Sequence, residues 1–320
     1  MLRRDFSAGA LSAGLSALAG CGKPAGKPAL PALKVGSQKG GTKALMLASG
    51  VLQGAPYRVE WSEFPAAQPL LEAIGAGAVD LGAVGDAPFL FAFAGGGQLR
   101  AVHASRAAAG GAGTVVLVAE TSPIRTVADL KGKRLATGRG SIGHYLVLAL
   151  LDRAGLSPRD VNIAFLNPGD AKAAFSTGAI DAWSTWGSYV FLAQKTEHAR
   201  ILADGRGLLS GYNFEVANVA SIADKRTQIA DFLHRLSQAQ RWQGANAAAY
   251  SAVLAKETGL DLGIAAQTVA AGRGEPVLLD KAVLAEERGV LERFQRAGAI
   301  AGRPDIVQAF DTSFAAAVKG

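Results

Sequence analysis

The 320-residue sequence predicts an α/β fold in two lobes of similar construction. Short apolar strands alternate with helical segments through short connections from Leu33 to Ser184, the pattern of a mostly parallel sheet covered on both faces. Gly77-Ala78-Val79-Asp80 returns 101 residues later as Gly178-Ala179-Ile180-Asp181. Each copy follows a short helix and leads into a strand that ends at a turn of small residues. Beyond Ser221 the texture changes to long helical segments that serve as cover for the lobes.

In the first lobe, Leu33 to Ser37 reads as a strand, Thr42 to Leu52 as a helix and Tyr57 to Trp61 as an alternating strand. Pro69 to Ala76 is helical. Val79 to Val84 is a buried strand running into Gly85-Asp86-Ala87-Pro88, where Asp86 suits a helix cap and Pro88 its first turn. Leu99–Ala104 and Thr114–Ala119 are further strands. The second cycle has strands at Arg134–Thr137, Val161–Leu166 and Ala179–Ser184. Helices are expected over Tyr145–Ala154 and from a cap at Asp170 to Phe175. The tail helices are Ile222–Ala245, Ala247–Thr258, Leu260–Ala270 and Asp280–Ala297, with a last short segment from Pro304. The chain is expected to return to the first lobe after the second, so that lobe 1 is 33–116 with 216–320 and lobe 2 is 117–215.

The N-terminus carries an address. Arg3-Arg4-Asp5-Phe6 precedes a mild Leu/Ala/Gly/Ser run ending in Leu18-Ala19-Gly20-Cys21, the layout of an export signal over residues 1–21. The paired arginines resemble the twin-arginine type. Leu-Ala-Gly-Cys resembles a lipobox, which makes Cys21 the candidate lipidation site. Residues 22–32, rich in Gly, Pro, Ala and Lys, read as a tether. Cys21 is the sole cysteine, so no intramolecular disulfide exists. The net charge is +7, of which the leader contributes +1 through Arg3, Arg4 and Asp5. The basic residues are scattered, without interleaved aromatics, which argues for an anionic small ligand rather than nucleic acid.

Ligands of open α/β sheets sit beyond the carboxyl ends of strands. Gly138-Arg139-Gly140-Ser141-Ile142-Gly143-His144 occupies such a place: glycine amides, the Ser141 hydroxyl and a helix N-terminus suit a small anion. The loop mimics a Walker A spacing but has His144 and Tyr145 where the lysine and hydroxyl belong, which argues against nucleotide hydrolysis. Gln38-Lys39-Gly40-Gly41-Thr42 is the matching loop of the first lobe, with Gln38, Gly41 and Thr42 as candidate contacts. Trp186 is a candidate wall for an organic tail, opposite Phe64 and Phe89. Asp86 lies at the rim, and Tyr212 and Glu215 lie on the return between lobes. The four histidines show no metal-like spacing, and GxSxG and HExxH motifs are absent. No catalytic residue, cofactor or metal is expected, and His144 at a helix N-terminus is expected to stay neutral.

From Leu33 onward the chain resembles the solute-binding proteins of ABC importers for aliphatic sulfonates, taurine and nitrate. The resemblance is carried by Val35-Gly36-Ser37-Gln38-Lys39-Gly40, Glu63-Phe64-Pro65, Val79 to Pro88 with its Gly85-Asp86-Ala87-Pro88, Ile124 to Lys133, Asn167 to Phe175 and Gly178 to Trp183. It implies a two-lobe periplasmic-binding-protein fold of type II, each lobe a mixed β-sheet flanked by helices, joined by two crossing strands. It further implies a monomer that holds an oxyanion between Gln38, Gly41 and Thr42 on one lobe and Ser141, Gly143 and His144 on the other, with the tail toward Trp186. The implied function is periplasmic capture of an organosulfonate, an alkanesulfonate first, for an inner-membrane ABC permease. Nitrate, taurine, a sulfate ester or another small organic ligand are the alternatives, and an exported enzyme acting on such an anion the last. Where sulfonate binders commonly read Trp-Asp-Pro-Tyr, this chain has Trp186-Gly187-Ser188-Tyr189. That departure removes an acidic group and favours a ligand without an amine.

Overall fold

A computed structural model describes residues 30–318. The expected signal, Cys21 and the tether up to residue 29 lie outside the described residues. From the N-terminus run β1 (Ala32–Gln38), α1 (Thr42–Ser49), β2 (Arg58–Phe64), α2 (Ala67–Gly75), β3 (Leu81–Gly85), α3 (Asp86–Ala94) and β4 (Leu99–Ala107). A second series follows: β5 (Thr114–Ala119), β6 (Arg134–Thr137), α4 (Ile142–Arg153), β7 (Asn162–Phe165), α5 (Pro168–Ser176), β8 (Ala182–Trp186), α6 (Ser188–Thr196) and β9 (Ala199–Asp204). Then come β10 (Tyr212–Asn218), α7 (Val219–Asp224), α8 (Arg226–Gln243), α9 (Ala247–Thr258), α10 (Leu262–Gly272), β11 (Gly274–Val277) and α11 (Lys281–Arg296), followed by short 3-10 turns at Ile306–Ala309 and Thr312–Val318.

Two sheets result, ordered β11-β4-β10-β3-β1-β2 and β7-β6-β8-β5-β9. Each is mixed rather than mostly parallel. β1, β2 and β3 are parallel, as are β6, β7 and β8, while β10 runs antiparallel to β3 and β5 antiparallel to β8. The two orders match when β10 is laid on β5 and β4 on β9. The chain therefore crosses between sheets twice, after β4 and after β9. At the expected lobe boundaries, β5 spans residue 117 and belongs wholly to the second sheet. β10 spans residue 216 and belongs wholly to the first.

The repeated tetrapeptide has one job in both lobes. Gly77 and Gly178 end their helices in the left-handed region, at φ 72° and 69°. Asp80 then donates its N–H to the Lys34 carbonyl and accepts the Lys34 N–H on its carboxylate. Asp181 makes the same pair with Arg134. Each aspartate thus pins the start of the strand, β1 or β6, that lies between the other two parallel strands of its lobe. The surroundings differ. Asp80 is 4% exposed and is met by Lys225 Nζ at 2.7 Å and Ser221 Oγ at 2.8 Å, whereas Asp181 pairs with an exposed Arg134.

Three local expectations change. The cap of α5 is Asn167, whose Oδ1 accepts the Asp170 N–H at 3.0 Å, rather than Asp170 itself. Gly85 holds the cap position of α3, and Asp86 is its first helical residue. β11 contains Pro276 and interrupts the helical tail as an edge strand, where a missing N–H is tolerated. α11 packs on both lobes. Phe294, fully buried, lies 5.5 Å from the Phe91 ring of α3 and 5.4 Å from the Tyr145 ring of α4, and Arg293 pairs with Asp152 at 2.7 Å.

The unequal burial of the two aspartates makes a prediction. Asp80→Ala leaves Lys225 and the Lys34 N–H without their acceptor and should cost about 3–5 kcal/mol in urea unfolding. Asp181→Ala, at a solvated pair, should lower the midpoint by clearly less. Equal losses would contradict the reading.

Candidate functional site

The carboxyl ends of both parallel strand sets face one cleft, with a volume of about 780 Å³. The first lobe contributes the β1–α1 loop, Pro65 and Ala66 after β2, and Gly85 and Asp86 at the β3–α3 junction. The second contributes the β6–α4 loop, Asn167 and Pro168 after β7, and Trp186 to Tyr189 after β8. Gln38, Gly41, Thr42, Asp86, Ser141, Trp186, Tyr212 and Glu215 of the expected contacts line it. Phe64, Phe89, Gly143 and His144 do not.

Physical reasons separate the two groups. Phe89 is fully buried against Phe93, Phe214 and Phe310, so it is core rather than wall. The Phe64 ring packs on the same core, while its carbonyl accepts the Lys39 N–H at 3.0 Å. His144 stands edge-on to Phe165, with ring centroids 4.9 Å apart, and its Nδ1 accepts the Gly140 N–H at 3.2 Å. Burial, with the Arg139 charge as a lesser cause, pushes its pKa down to about 4, so the ring is neutral as expected. Its task is to hold the 138–141 loop. At Gly143 an added Cβ would lie 2.7 Å from Thr137 Oγ1 and 3.0 Å from the Ser184 carbonyl. That glycine is needed for packing α4 on β8.

The helix termini themselves do face the cleft. Ser141 caps α4, its Oγ accepting the His144 N–H at 3.1 Å and its carbonyl the Tyr145 N–H. The first N–H group of α4, at Ile142, which lines the cleft, is left to the cleft end of the helix. In the first lobe the Gly41 N–H is already bonded to the Gln38 carbonyl at 2.8 Å, so Gly41 contributes shape and Thr42 opens α1. Gln38 Nε2 donates to the Ala83 carbonyl at 3.1 Å, which fixes its amide beside the loop. Two exposed cations flank the opening: Lys39, and Arg139, whose guanidinium lies 3.9 Å above the Phe165 ring. Oriented amides from two lobes with cations at the rim suit an oxyanion.

The acidic groups are held back from full charge. Burial raises Asp86 to about 6, against the Ser210 hydroxyl and the Ala87 N–H that bond its carboxylate. Burial raises Glu215 to about 8, opposed by Thr42 Oγ1, which donates to Oε1 at 3.4 Å. Glu287 on α11 is buried near Asp86 and lies well above the carboxylate range, from burial first and then the Asp86 charge. Gly187, where the resemblance implies an acid, sits at φ 59° and ψ −138°. Only glycine adopts that backbone without strain.

Sequence reasoning missed the inner part of the cleft. Behind Thr42 and Glu215 it continues between the first sheet and α8, α9 and α10, past His103, Gln240, Gln243 and Tyr250. A signal existed. The apolar stripe of α8, Ile229, Phe232, Leu233 and Leu236, continues at the same spacing as Gln240 and Gln243, both buried. Polar residues on a buried helix face mark a cavity or a network.

Residues 62–246 match the family model described as NMT1/THI5 like. The chain is 38% identical over 232 residues to the putative aliphatic sulfonates-binding protein of Escherichia coli, covering 72% of each. The chain belongs to this family of periplasmic solute-binding proteins of sulfonate and taurine ABC importers. Among solved structures it resembles the alkanesulfonate-binding protein SsuA from Xanthomonas axonopodis pv. citri bound to MOPS. There the identity is 31%, the TM-score 0.82, and the coverage 89% of this chain and 99% of that one. The periplasmic aliphatic sulphonate binding protein SsuA from Escherichia coli matches at 32% identity and TM-score 0.76, over 87% and 91%. The family is one of non-catalytic binding proteins.

Two measurements check this geometry on the ligand-free protein. Ser141→Ala removes a helix cap and should lower stability by about 1 kcal/mol before any ligand is added. The second is the pH profile. His103 and His144, depressed to about 4, oppose folding as pH falls below 6.5, because the unfolded chain takes up protons that the native rings refuse. Glu215 acts in the opposite sense: the native state keeps a proton that the unfolded chain releases, so stability falls as pH rises from 4.5 to about 8. Between pH 6.5 and 8 the histidines contribute nothing and the decline should be visible. Glu215→Gln should flatten it and Glu287→Gln should remove a further part. A profile identical in wild type and Glu215→Gln would contradict a buried, raised carboxyl.

Proposed function

We propose that the protein captures an organosulfonate, with alkanesulfonates as the core ligand class, and delivers it to an ABC permease of the inner membrane. The observation that carries this reading is the meeting of two helix N-termini, α1 and α4, across one cleft with Lys39 and Arg139 at its rim. A sulfonate presents three oxygens to the Thr42 and Ile142 amides and the hydroxyls beside them. Trp186 and Tyr189 offer apolar surface to the organic part. The protein works in the periplasm as a monomer, exported through the twin-arginine-like signal and held by lipid at Cys21.

Transport follows from closure. Lobe 1 (33–116 and 216–320) and lobe 2 (117–215) close on the ligand about the two crossing segments. The closed population rises because the anion touches both lobes only in that state. The Ser141 hydroxyl, the Ile142 amide and the Gln38–Thr42 loop are the proposed contacts.

A thermal-shift screen of the protein lacking residues 1–20 tests the reading against alkanesulfonates, aryl sulfonates, taurine, nitrate and sulfate esters. A specific ligand at one hundred times its Kd should stabilise by about 2.7 kcal/mol. Shifts with sulfonates are expected. Shifts with nitrate alone, or with no sulfur oxyanion, would overturn the assignment.

A further inference from the structure

A hydroxyl stands at each of the two helix N-termini of the cleft, and the two are held differently. On the second lobe, Ser141 Oγ accepts the His144 N–H at 3.1 Å, which engages a lone pair and leaves its hydrogen to other acceptors. On the first lobe, Gly41 gives α1 no side-chain cap, and Thr42, the first residue of the helix, carries both an amide and a hydroxyl at the cleft. That hydroxyl meets a side chain instead: Thr42 Oγ1 lies 3.4 Å from Glu215 Oε1.

Glu215 is an acid placed where ionisation is costly. It sits on β10 at 3% exposure, and its other oxygen, Oε2, has no partner. Across the sheet it faces Ala83 of β3 and His103 of β4. His103 is kept neutral by burial and next by the Arg241 charge, and its Nε2 lies 3.0 Å from Ser237 Oγ. From the helices above, α8 brings Gln240 and α9 brings Tyr250, pushed up to about 12 by burial; Lys39 and Asp86 line the same cleft. Burial raises the Glu215 carboxyl to about 8 against the Thr42 contact, with no charged neighbour among the causes. A carboxyl in dry surroundings without a cation keeps its proton.

The direction of the Thr42 contact depends on that proton. At 3.4 Å the two oxygens are beyond the usual O–H···O range, so the bond is weak and easily reversed. A carboxylate can only accept: Thr42 then donates to it and turns lone pairs toward the cleft. A carboxylic acid can donate from Oε1 to Thr42 Oγ1, and the Thr42 hydrogen is then free for a ligand oxygen.

Resting on the sulfonate reading above, we infer that Glu215 is a positioning residue: as a neutral acid it donates to Thr42 Oγ1 and so aims the Thr42 hydroxyl at the sulfonate. It acts through Thr42 and not on the ligand itself. The Thr42 amide and hydroxyl then hold the anion as a pair, matching the Ile142 amide and Ser141 hydroxyl across the cleft. No covalent bond changes; the carboxyl hydrogen is shared with Thr42 Oγ1, and the Thr42 hydrogen with a sulfonate oxygen. Ionised Glu215 reverses this chain and places a buried negative charge behind it. The anion therefore selects the acid form, and where the empty protein is partly ionised its binding takes up a proton from the medium.

The test is isothermal titration of butanesulfonate into the protein lacking residues 1–20, from about pH 6 to 9, in non-sulfonate buffers of different ionisation heat. Wild type should hold one affinity up to about pH 7 and bind about tenfold more weakly near pH 9, with about half a proton taken up near pH 8. Glu215→Gln, whose amide can make the same donation, should bind within about threefold of wild type at neutral pH, keep that affinity on the alkaline side and take up no proton. Thr42→Val should bind about tenfold more weakly at neutral pH and lose most of the pH dependence, and Thr42→Ser should restore both. A flat wild-type profile, proton release, or a Glu215→Gln that binds poorly at every pH would overturn the positioning role. So would a Thr42→Val that keeps the full pH dependence, since charge alone would then account for it. All four outcomes leave sulfonate capture intact. Failure of wild type to bind butanesulfonate and every sulfonate of the screen would instead bring down the sulfonate reading.

Discussion

Two backbone crossings packed against each other set the geometry of this protein. The segment after β4 and the segment after β9 touch at Gly111 and Gly205. A Cβ on Gly111 would lie 2.3 Å from the Gly205 carbonyl oxygen, and one on Gly205 2.6 Å from that of Gly111. The Gly205 N–H bonds the Thr114 carbonyl at 3.1 Å, and the Ala107 N–H bonds that of Gly211 at 2.9 Å. Side chains here would force the crossings apart and turn the sheets away from each other. With them adjacent, the carboxyl ends of β1–β3 and β6–β8 face one cleft, and every functional feature follows from that.

The first consequence is electrostatic. Amides at the start of α1 and α4 carry partial positive charge that needs no counter-ion in the protein. The buried acids near the cleft, Asp86, Glu215 and Glu287, are shifted upward by burial and so present less negative charge to an incoming anion than their number suggests. The second consequence is mechanical. α11 touches both lobes through Phe294 and Arg293, so any closing motion must carry these contacts with it or exchange them.

Much of this was legible in the sequence because local patterns and tertiary roles agree. The Gly-Ala-Val/Ile-Asp repeat marked two similarly built lobes, and the glycine loop at 138–143 marked a helix N-terminus at the cleft. What was not legible depended on where a side chain turned once the sheets were mixed. Phe89 and Phe64 have the right chemistry for a ligand wall, yet packing against Phe214 and Phe310, or under α2, claims them for the core. His144 looked like a ligand contact, but its Nδ1 accepts the Gly140 N–H, its ring packs edge-on to Phe165, and it is not among the residues lining the cleft. The inner chamber was hidden because it needs β4 to meet β10 and α8, which lie more than 100 residues further along the sequence. β11 was masked by Pro276, which reads as a breaker although it is tolerated at a sheet edge.

A crystal structure of the protein with a bound sulfonate tests the central claim most directly. The account places the sulfonate group between the N-termini of α1 and α4, within hydrogen-bond distance of the Ile142 amide and of the Gln38–Thr42 loop, with the tail leaving toward Trp186. A sulfonate bound only by side chains of one lobe, with the Ser141 loop empty, would contradict it.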